Sequence, residues 1–340
     1  MPLVSVVIPI FRYDWEQAAA IDSVLRQTFT DFEIILVDNN ATPEARATAQ
    51  KYAAIHPKKV RLVREPQQGV ASARNRGILE TNAPLIAFLD SDDMMAPTRL
   101  ASQVAALQAH SQAVLVHSAV AYCSYDGSTI LEDCNVPRVP EWSAVLPSPF
   151  PNPIMPTIMV RRETALDAGL FDERFNPFWL EDLDFAFRVF TKGPFNYQDA
   201  PLTICRPHND GELQWREKTD YSWHSIRNAV MFFQKVRDLY YRPTDKANHR
   251  NFLRAQAEWI RGNTKPLFLT KRTAAYGRIM YARALHADPM DWRNWKQFLR
   301  SRLPYPLCAK LLKVNPSQTE APVWLDRRFI KTAFSLGEMH

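Results

Sequence analysis

The chain of 340 residues is 46% hydrophobic and 23% charged, which places it among folded globular proteins with room for one large domain or two ordinary ones. No run approaches the roughly 18 apolar residues of a membrane-spanning helix, and the opening MPLVSVVIPIF lacks a basic leader and reads as a strand, which argues for a cytoplasmic protein. The net charge of +6 hides two unlike parts, since residues 1–214 hold 18 Lys and Arg against 26 Asp and Glu while residues 215–340 hold 24 against 10; an acidic domain over 1–214 and a basic, mainly helical region over 215–340 are expected.

The first 125 residues alternate strands and helices. Leu3 to Ile10 is a β-branched run too apolar for an exposed strand. Asp14 to Gln27 sets Ala18, Ile21 and Leu25 at helical spacing, and Glu33 to Val37 reads as a second buried strand. Thr42-Pro43-Glu44 has a capping hydroxyl and a proline at the first helical position, so a helix runs from there to about Ala54. Val60 to Val63 is a third strand, Gly69 to Glu80 a helix, Leu85 to Leu89 a fourth strand and Pro97 to His110 another helix. This βαβαβαβ order implies a mostly parallel sheet flanked by helices, with ligands at the carboxyl ends of the strands.

The pattern then loosens. Ala113 to Tyr122 reads as a strand with a hairpin signal at Asp126-Gly127 leading to Ile130, and 135–156 is a proline-rich loop expected beside the site. Ile158 to Val160 is a short strand, Glu163 to Ala168 a short helix closed by Gly169, and Leu180 to Lys192 an amphipathic helix with Leu183, Phe187 and Phe190 on one face. Phe195 to Cys205 is the last strand; helices follow over Tyr221 to Leu239, Asn248 to Arg261, Thr273 to His286 and Asn294 to Ser301. The cysteines Cys123, Cys134, Cys205 and Cys308 lack CxxC spacing and read as free thiols, with a Cys123–Cys134 bridge across the hairpin as the alternative.

Four constellations carry chemistry. Pro9 and Asp38-Asn39-Asn40 close the first two strands, where short polar side chains can bond a nucleobase or ribose, or simply make a turn. Gln68 to Gly77 combines small residues with Arg74, whose guanidinium suits a base or a phosphate, or else a packed helix with solvated arginines. Asp90-Ser91-Asp92-Asp93 ends the fourth strand in acids that repel unless a cation sits between them. Oxygen donors favour Mg or Mn over Zn, and His208 is a candidate further ligand. Trp179-Leu180-Glu181-Asp182 opens a helix whose dipole favours anions; Asp182 is the candidate general base and Glu181 a supporting or sugar-binding acid.

Taken together, VSVVIPIFRYD, DFEIILVDNNAT, QQGVASARNRG, FLDSDD and WLEDLDFAFR resemble, in order over about residues 1–210, the inverting glycosyltransferases of family 2 with the GT-A fold. GLFDERF also fits, and Asn39 departs from the second Asp of many members. The resemblance implies a nucleotide-sugar donor, most often a UDP-sugar, held by Pro9, Phe11, Asp38, Asn39, Arg74, Asp90 and Ser91. It implies a divalent Mn or Mg held by Asp90 and Asp92 with His208, and a sugar moved with inversion to an acceptor hydroxyl deprotonated by Asp182. The expected fold is α/β, a mixed and mostly parallel sheet with a helical C-terminal extension.

Two other classes share some of these residues. A nucleotidyltransferase should carry a Gly-rich, Lys-bearing loop after the first strand, where this chain has Phe11-Arg12-Tyr13-Asp14. A non-catalytic nucleotide-sugar binder would not need the acids Asp90, Asp92 and Asp182. The acceptor is expected to be a glycan or a lipid-linked molecule. The basic region, with Trp292, Trp295, Arg300, Arg302 and Tyr305, suits contact with an anionic membrane surface such as the inner face of the plasma membrane, or else an oligomer interface or a helical cap shaping the acceptor cleft. Nucleic acid is not expected as a partner, because the basic residues lie in helices without a reading motif.

Overall fold

The computed structural model describes residues 1–12, 15–124, 130–134, 153–176, 180–206, 221–240, 246–263 and 271–312. The chain divides into two compact units, Met1–Val139 with Pro151–Gln214, and Pro140–Phe150 with Trp215–His340.

The first unit is built on a nine-stranded sheet. In chain order its elements are β1 (Val4–Ile10), α1 (Trp15–Leu25), β2 (Phe32–Asp38), α2 (Pro43–Ile55), β3 (Val60–Arg64), α3 (Val70–Leu79), β4 (Leu85–Phe88), β5 (Met94–Met95) and α4 (Arg99–Ala109). There follow β6 (Leu115–Cys123), β7 (Ile130–Cys134), β8 (Met159–Arg161), α5 (Arg162–Asp167), α6 (Glu181–Phe190) and β9 (Phe195–Cys205). The strand order is β3-β2-β1-β4-β8-β6-β9-β5, with β7 on β6. β3, β2, β1 and β4 run parallel, as the βαβ pattern implies. β8 then joins β4 and β6 in antiparallel fashion, and β9 returns parallel to β6, so the sheet is mixed.

Apolar side chains cover both faces of the sheet. Val6, Ile8, Ile34 and Leu36 pack with Ile21 and Val24 on one side, while Val7, Ile35 and Phe88 pack with Ala73, Ile78 and Phe185 on the other. Burial on both faces explains why these strands read as unbroken apolar runs. Thr42 caps α2 as its sequence suggests, accepting from the Ala45 amide at 3.3 Å, with Pro43 following. Pro9 lies inside a central strand at no cost in ladder bonds. The β1–β4 pairing stops at Val7 and Phe88, and Leu89 N–H donates to the Val7 carbonyl at 3.2 Å as the chain leaves, so the missing Pro9 N–H falls on the side where β4 has ended.

Two features were not expected. The two-residue β5 pairs with β9. α6 also buries the side opposite Leu183 and Phe187, where Phe185 stacks on Phe171 with ring centroids 4.0 Å apart. As the cysteine spacing suggests, Cys123 is a buried thiol in no disulfide, its Sγ donating to the Cys205 carbonyl at 3.6 Å, and the alternative bridge to Cys134 is not formed. The Asp126-Gly127 turn, residues 135–152 of the proline-rich loop, Trp179 and His208 lie outside the described residues.

The second unit is helical where it is described: α7 (Tyr221–Tyr240), α8 (Lys246–Asn263), α9 (Lys271–Ala287), α10 (Trp292–Ser301) and α11 (Tyr305–Leu312). Its core holds Phe233 edge-on to Phe252 and Trp259, with Ile260, Met280 and Tyr281 also buried. Among the described residues, no helix is long and apolar enough to cross a membrane.

Candidate functional site

The carboxyl ends of β1, β2 and β4 meet the start of α3 and the start of α6. Two asparagines lock α3 to the segment before α6. Asn75 donates to the Phe171 carbonyl at 2.9 Å and accepts from the Phe171 amide at 2.8 Å. Asn176 accepts from the Ala71 amide at 3.2 Å and donates to Ser72 Oγ at 2.7 Å. Small residues make this approach possible. A Cβ at Gly77 would stand 2.3 Å from Val7 Cγ1, and one at Gly69, whose φ is +139°, 2.1 Å from Asn176 Cγ. The small residues and asparagines of QQGVASARNRG therefore serve close packing.

Arg74, buried on α3, is the hub. Its Nη2 donates to Asp90 Oδ1 at 2.9 Å and its Nη1 to Glu181 Oε1 at 2.9 Å. One cation thus joins the acid at the tip of β4 to the acid that opens α6. Burial works against its charge, yet the charges of Asp90 and Glu181 outweigh that and raise its pKa. Both end nitrogens are committed to carboxylates, so Arg74 shapes the site from within, where the sequence had suggested contact with a base.

Asn39 is likewise spent inside the chain. Its Nδ2 donates to the carbonyls of Glu65 (3.1 Å) and Gln67 (2.6 Å), and its Oδ1 accepts from the Gly69 amide at 2.8 Å. Asn40, at φ 57°, adds a bond to the Pro66 carbonyl. The pair staples the loop that leads into α3. Asp38 accepts from the Ala41 amide at 2.8 Å and from Arg46 Nε at 2.7 Å. Burial opposes its charge, but Arg46, the Ala41 amide and Arg64 prevail and hold the carboxyl below its usual range. Ile10, one residue after Pro9, ends β1 paired with Asp38, and Phe11 is exposed next in the chain, under the Arg12 guanidinium.

The acidic turn is held from two sides. Arg206, at the end of β9, donates through Nη1 to the Asp92 carbonyl at 2.6 Å and through its backbone N–H to Asp93 Oδ1 at 3.1 Å. From below, the fully buried Arg99 donates through Nη2 to the carbonyls of Phe88 (3.1 Å) and Ile158 (3.2 Å). Burial pulls its pKa down to about 9, against the opposing charges of Asp93 and Asp90. Asp93 and Ser91 are buried. Burial, then the charges of Asp92 and Asp90, push the Asp93 carboxyl well up. Arg99, Arg206, Asn75 and Asn176 escaped the sequence reading, because each acts on a partner between 11 and 114 residues away.

At α6, Leu180 takes the left-handed conformation with φ 68°, an uncommon backbone for a branched residue and the kind of strain that clusters at functional sites. Asp182 is partly buried and accepts from the Leu183 amide at 2.7 Å through Oδ1, which leaves Oδ2 without a hydrogen bond among the described residues. Burial, joined by the charge of Asp90, outweighs Arg74 and the helix amides and raises its pKa. Glu181 is buried, with Oε2 unpartnered among the described residues, and its carboxyl is pushed up by burial and by Asp182 against the pull of Arg74.

Among the described residues, no group of three His, Cys, Asp or Glu side chains could by itself cage a metal ion. The donor set nevertheless suits a hard cation of the Mg or Mn type, which takes one or two carboxylates and completes its shell with substrate phosphates and water. Asp90 has one oxygen on Arg74 and a second to offer, and Asp92 lies two residues on in the same turn.

This sheet, with its acids at the strand tips and at the first turn of α6, is a GT-A-type glycosyltransferase fold. Residues 5–162 match the glycosyl transferase family 2 model. EpsE of Bacillus subtilis (strain 168), a protein assigned as a glycosyltransferase, is 27% identical over 242 residues, 70% of this chain and 83% of that one. The mannosyltransferase PcManGT of Pyrobaculum calidifontis, solved with GDP-Man and Mn2+, superposes with a TM-score of 0.55 at 20% identity, over 92% of this chain and 87% of that chain. S. aureus TarS 1-349, solved with UDP, gives 0.52 at 15% identity, over 88% and 91%.

Proposed function

We propose that this protein transfers a sugar from a nucleotide-sugar donor to an acceptor hydroxyl with inversion at the anomeric carbon, with a divalent cation and with UDP-sugars as the first donors to test. The observation that carries the reading is the Arg74 bridge. It ties Asp90 at the end of β4, suited to a diphosphate and its metal, to Glu181, the neighbour in sequence of the candidate base Asp182. Donor complexes of the structural relatives, one with UDP and one with GDP-Man and Mn2+, support the donor class and leave the base open.

In this mechanism Asp90 and Asp92 hold the cation, which when bound offsets the charge that builds on the leaving diphosphate. Asp38 and Pro9 border the nucleoside side, and Phe11 is free to cover it. Asp182 takes the proton of the acceptor hydroxyl through Oδ2 as the hydroxyl attacks. Its raised pKa makes it a stronger base than an ordinary aspartate. A single base with no second nucleophile gives inversion in one displacement. Arg74 and Glu181 keep that base at a fixed place.

Asp182→Asn tests the assignment. The variant should bind donor nucleotide like the wild type and lose transfer by a factor on the order of 100 or more, the usual scale of general-base catalysis. Transfer at the wild-type rate by a folded Asp182→Asn protein overturns the role of this residue.

A further inference from the structure

Helix α10 is built inside out. The residues it buries are polar: Asn294, bonded to Arg261 at 2.9 Å and to the Asp288 carbonyl at 2.9 Å, and Ser301, whose carbonyl accepts from Arg278 at 2.8 Å. The residues it exposes are large and apolar: Trp292 is 64% exposed, Leu299 59% and Trp295 46%. At 100° per residue these three fall within a sector about 60° wide. Lys296 and Arg300 border one edge of that sector and Arg302, just past the helix, borders the other. The next helix, α11, exposes Leu307 and Leu311 one turn apart, with Lys310 between them.

A helix that served only to cap a core would turn its tryptophans inward. Holding this one in place with hydrogen bonds and ion pairs keeps its apolar face outward. Asp291 caps it by accepting from the Arg293 amide at 2.9 Å and pairs with Arg261 at 2.8 Å, so this acid is engaged on the inner side.

We propose that this face of α10 docks on an anionic lipid surface, with Trp292, Trp295 and Leu299 entering the headgroup boundary and Lys296, Arg300 and Arg302 meeting lipid phosphates. Charge selects this occupant. Residues 215–340, which carry the patch, hold 24 Lys and Arg against 10 Asp and Glu. A second copy set face to face would bring the same cationic rim against itself, whereas an anionic bilayer complements it. Tryptophan and arginine are also the residues suited to a boundary that is apolar on one side and wet on the other. The proposal does not depend on the donor or on the reaction.

The test is flotation of the full-length protein with vesicles of phosphatidylglycerol and phosphatidylcholine, and with phosphatidylcholine alone, at low and high salt. Binding is expected only to the anionic vesicles and should weaken with salt. Replacing Lys296, Arg300 and Arg302 by Gln should weaken it on the order of fivefold per cation. Trp292→Ser with Trp295→Ser should weaken it tenfold or more. Both tryptophans are exposed, so these variants should keep the wild-type circular dichroism and melting temperature. Brominated lipid should quench wild-type fluorescence and spare the double variant. No flotation with anionic vesicles at low salt, or equal flotation of the double variant, overturns the proposal. So does a dimer, seen by sedimentation, that the tryptophan changes dissolve while vesicles leave the protein behind.

Discussion

Replacing Arg74 by Met keeps the volume of the side chain and removes its charge. In the wild type the guanidinium reaches Glu181 at 2.9 Å and Asp90 at 2.9 Å. The two acids differ in what they lose. The Asp90 side chain is 33% exposed and water takes over its solvation, whereas that of Glu181 is 8% exposed and is left as a buried, uncompensated charge. Breaking a buried pair in this way costs about 3–5 kcal/mol, and the Glu181 half places this variant near the lower end. For a unit of about 200 residues that lowers the melting temperature by roughly 6–12 °C. The pH dependence separates this account from simple loss of packing. The Glu181 carboxyl already sits above its usual range, and removing Arg74 raises it further. A carboxyl raised in the folded state favours folding below its unfolded pKa, and that advantage disappears as pH climbs through the folded value. The Arg74→Met penalty should therefore be small near the unperturbed glutamate value of ~4.3 and grow toward neutral and alkaline pH. Urea unfolding across that range is the assay, with Glu181→Gln and the double variant completing a cycle; Glu181→Gln should return most of what Arg74→Met removes. A loss below about 1 kcal/mol at neutral pH, or one that pH does not change, refutes the buried-charge reasoning.

Two further changes probe other parts of the account. Gly77→Ala drives a methyl into Val7 at the contact of α3 with β1 and should cost about 1–3 kcal/mol, with Val7→Ala in the same chain relieving the clash; differential scanning calorimetry reads both. Asp291→Asn removes the ion pair at the start of α10 while keeping a capping side chain. The wild-type carboxyl is held down to about 2 by Arg293 and Arg261, so the stability it contributes is present above its unfolded value and is lost as pH falls toward 2. The variant should be less stable at neutral pH by roughly 1 kcal/mol, and the difference should fade in acid; helical circular dichroism follows it.

The sequence was most legible where local chemistry and global fold agree. The apolar runs of β1, β2 and β4 and the Thr42-Pro43 start of α2 announce themselves, because burial on both faces and helix capping leave marks a few residues wide. The acids at Asp90 and Asp92 were visible as charge placed where a core strand ends. What joins them to α6 was not, since Arg74 meets partners 16 and 107 residues away and a guanidinium bears no mark of whether it faces ligand or protein. Asn39 shows the same limit: its type and place suit a nucleobase, and its amide instead braces the 65–69 loop. β5 is two residues long and β9 pairs with a strand distant in sequence, so neither pairing leaves a local pattern. α10 begins at Trp292, two residues before its expected start, because Asp291 caps it; its polar inner face defeats a reading that assigns apolar residues to the core.

The central claim is that the strand-tip acids hold a nucleoside diphosphate through a divalent cation. Calorimetric titration of the purified protein with UDP, GDP and dTDP, each with and without Mn, tests it most directly. The account predicts binding that needs the cation, is strongest for UDP and is abolished in Asp92→Asn. Failure of a folded protein to bind any of the three with Mn present would contradict it.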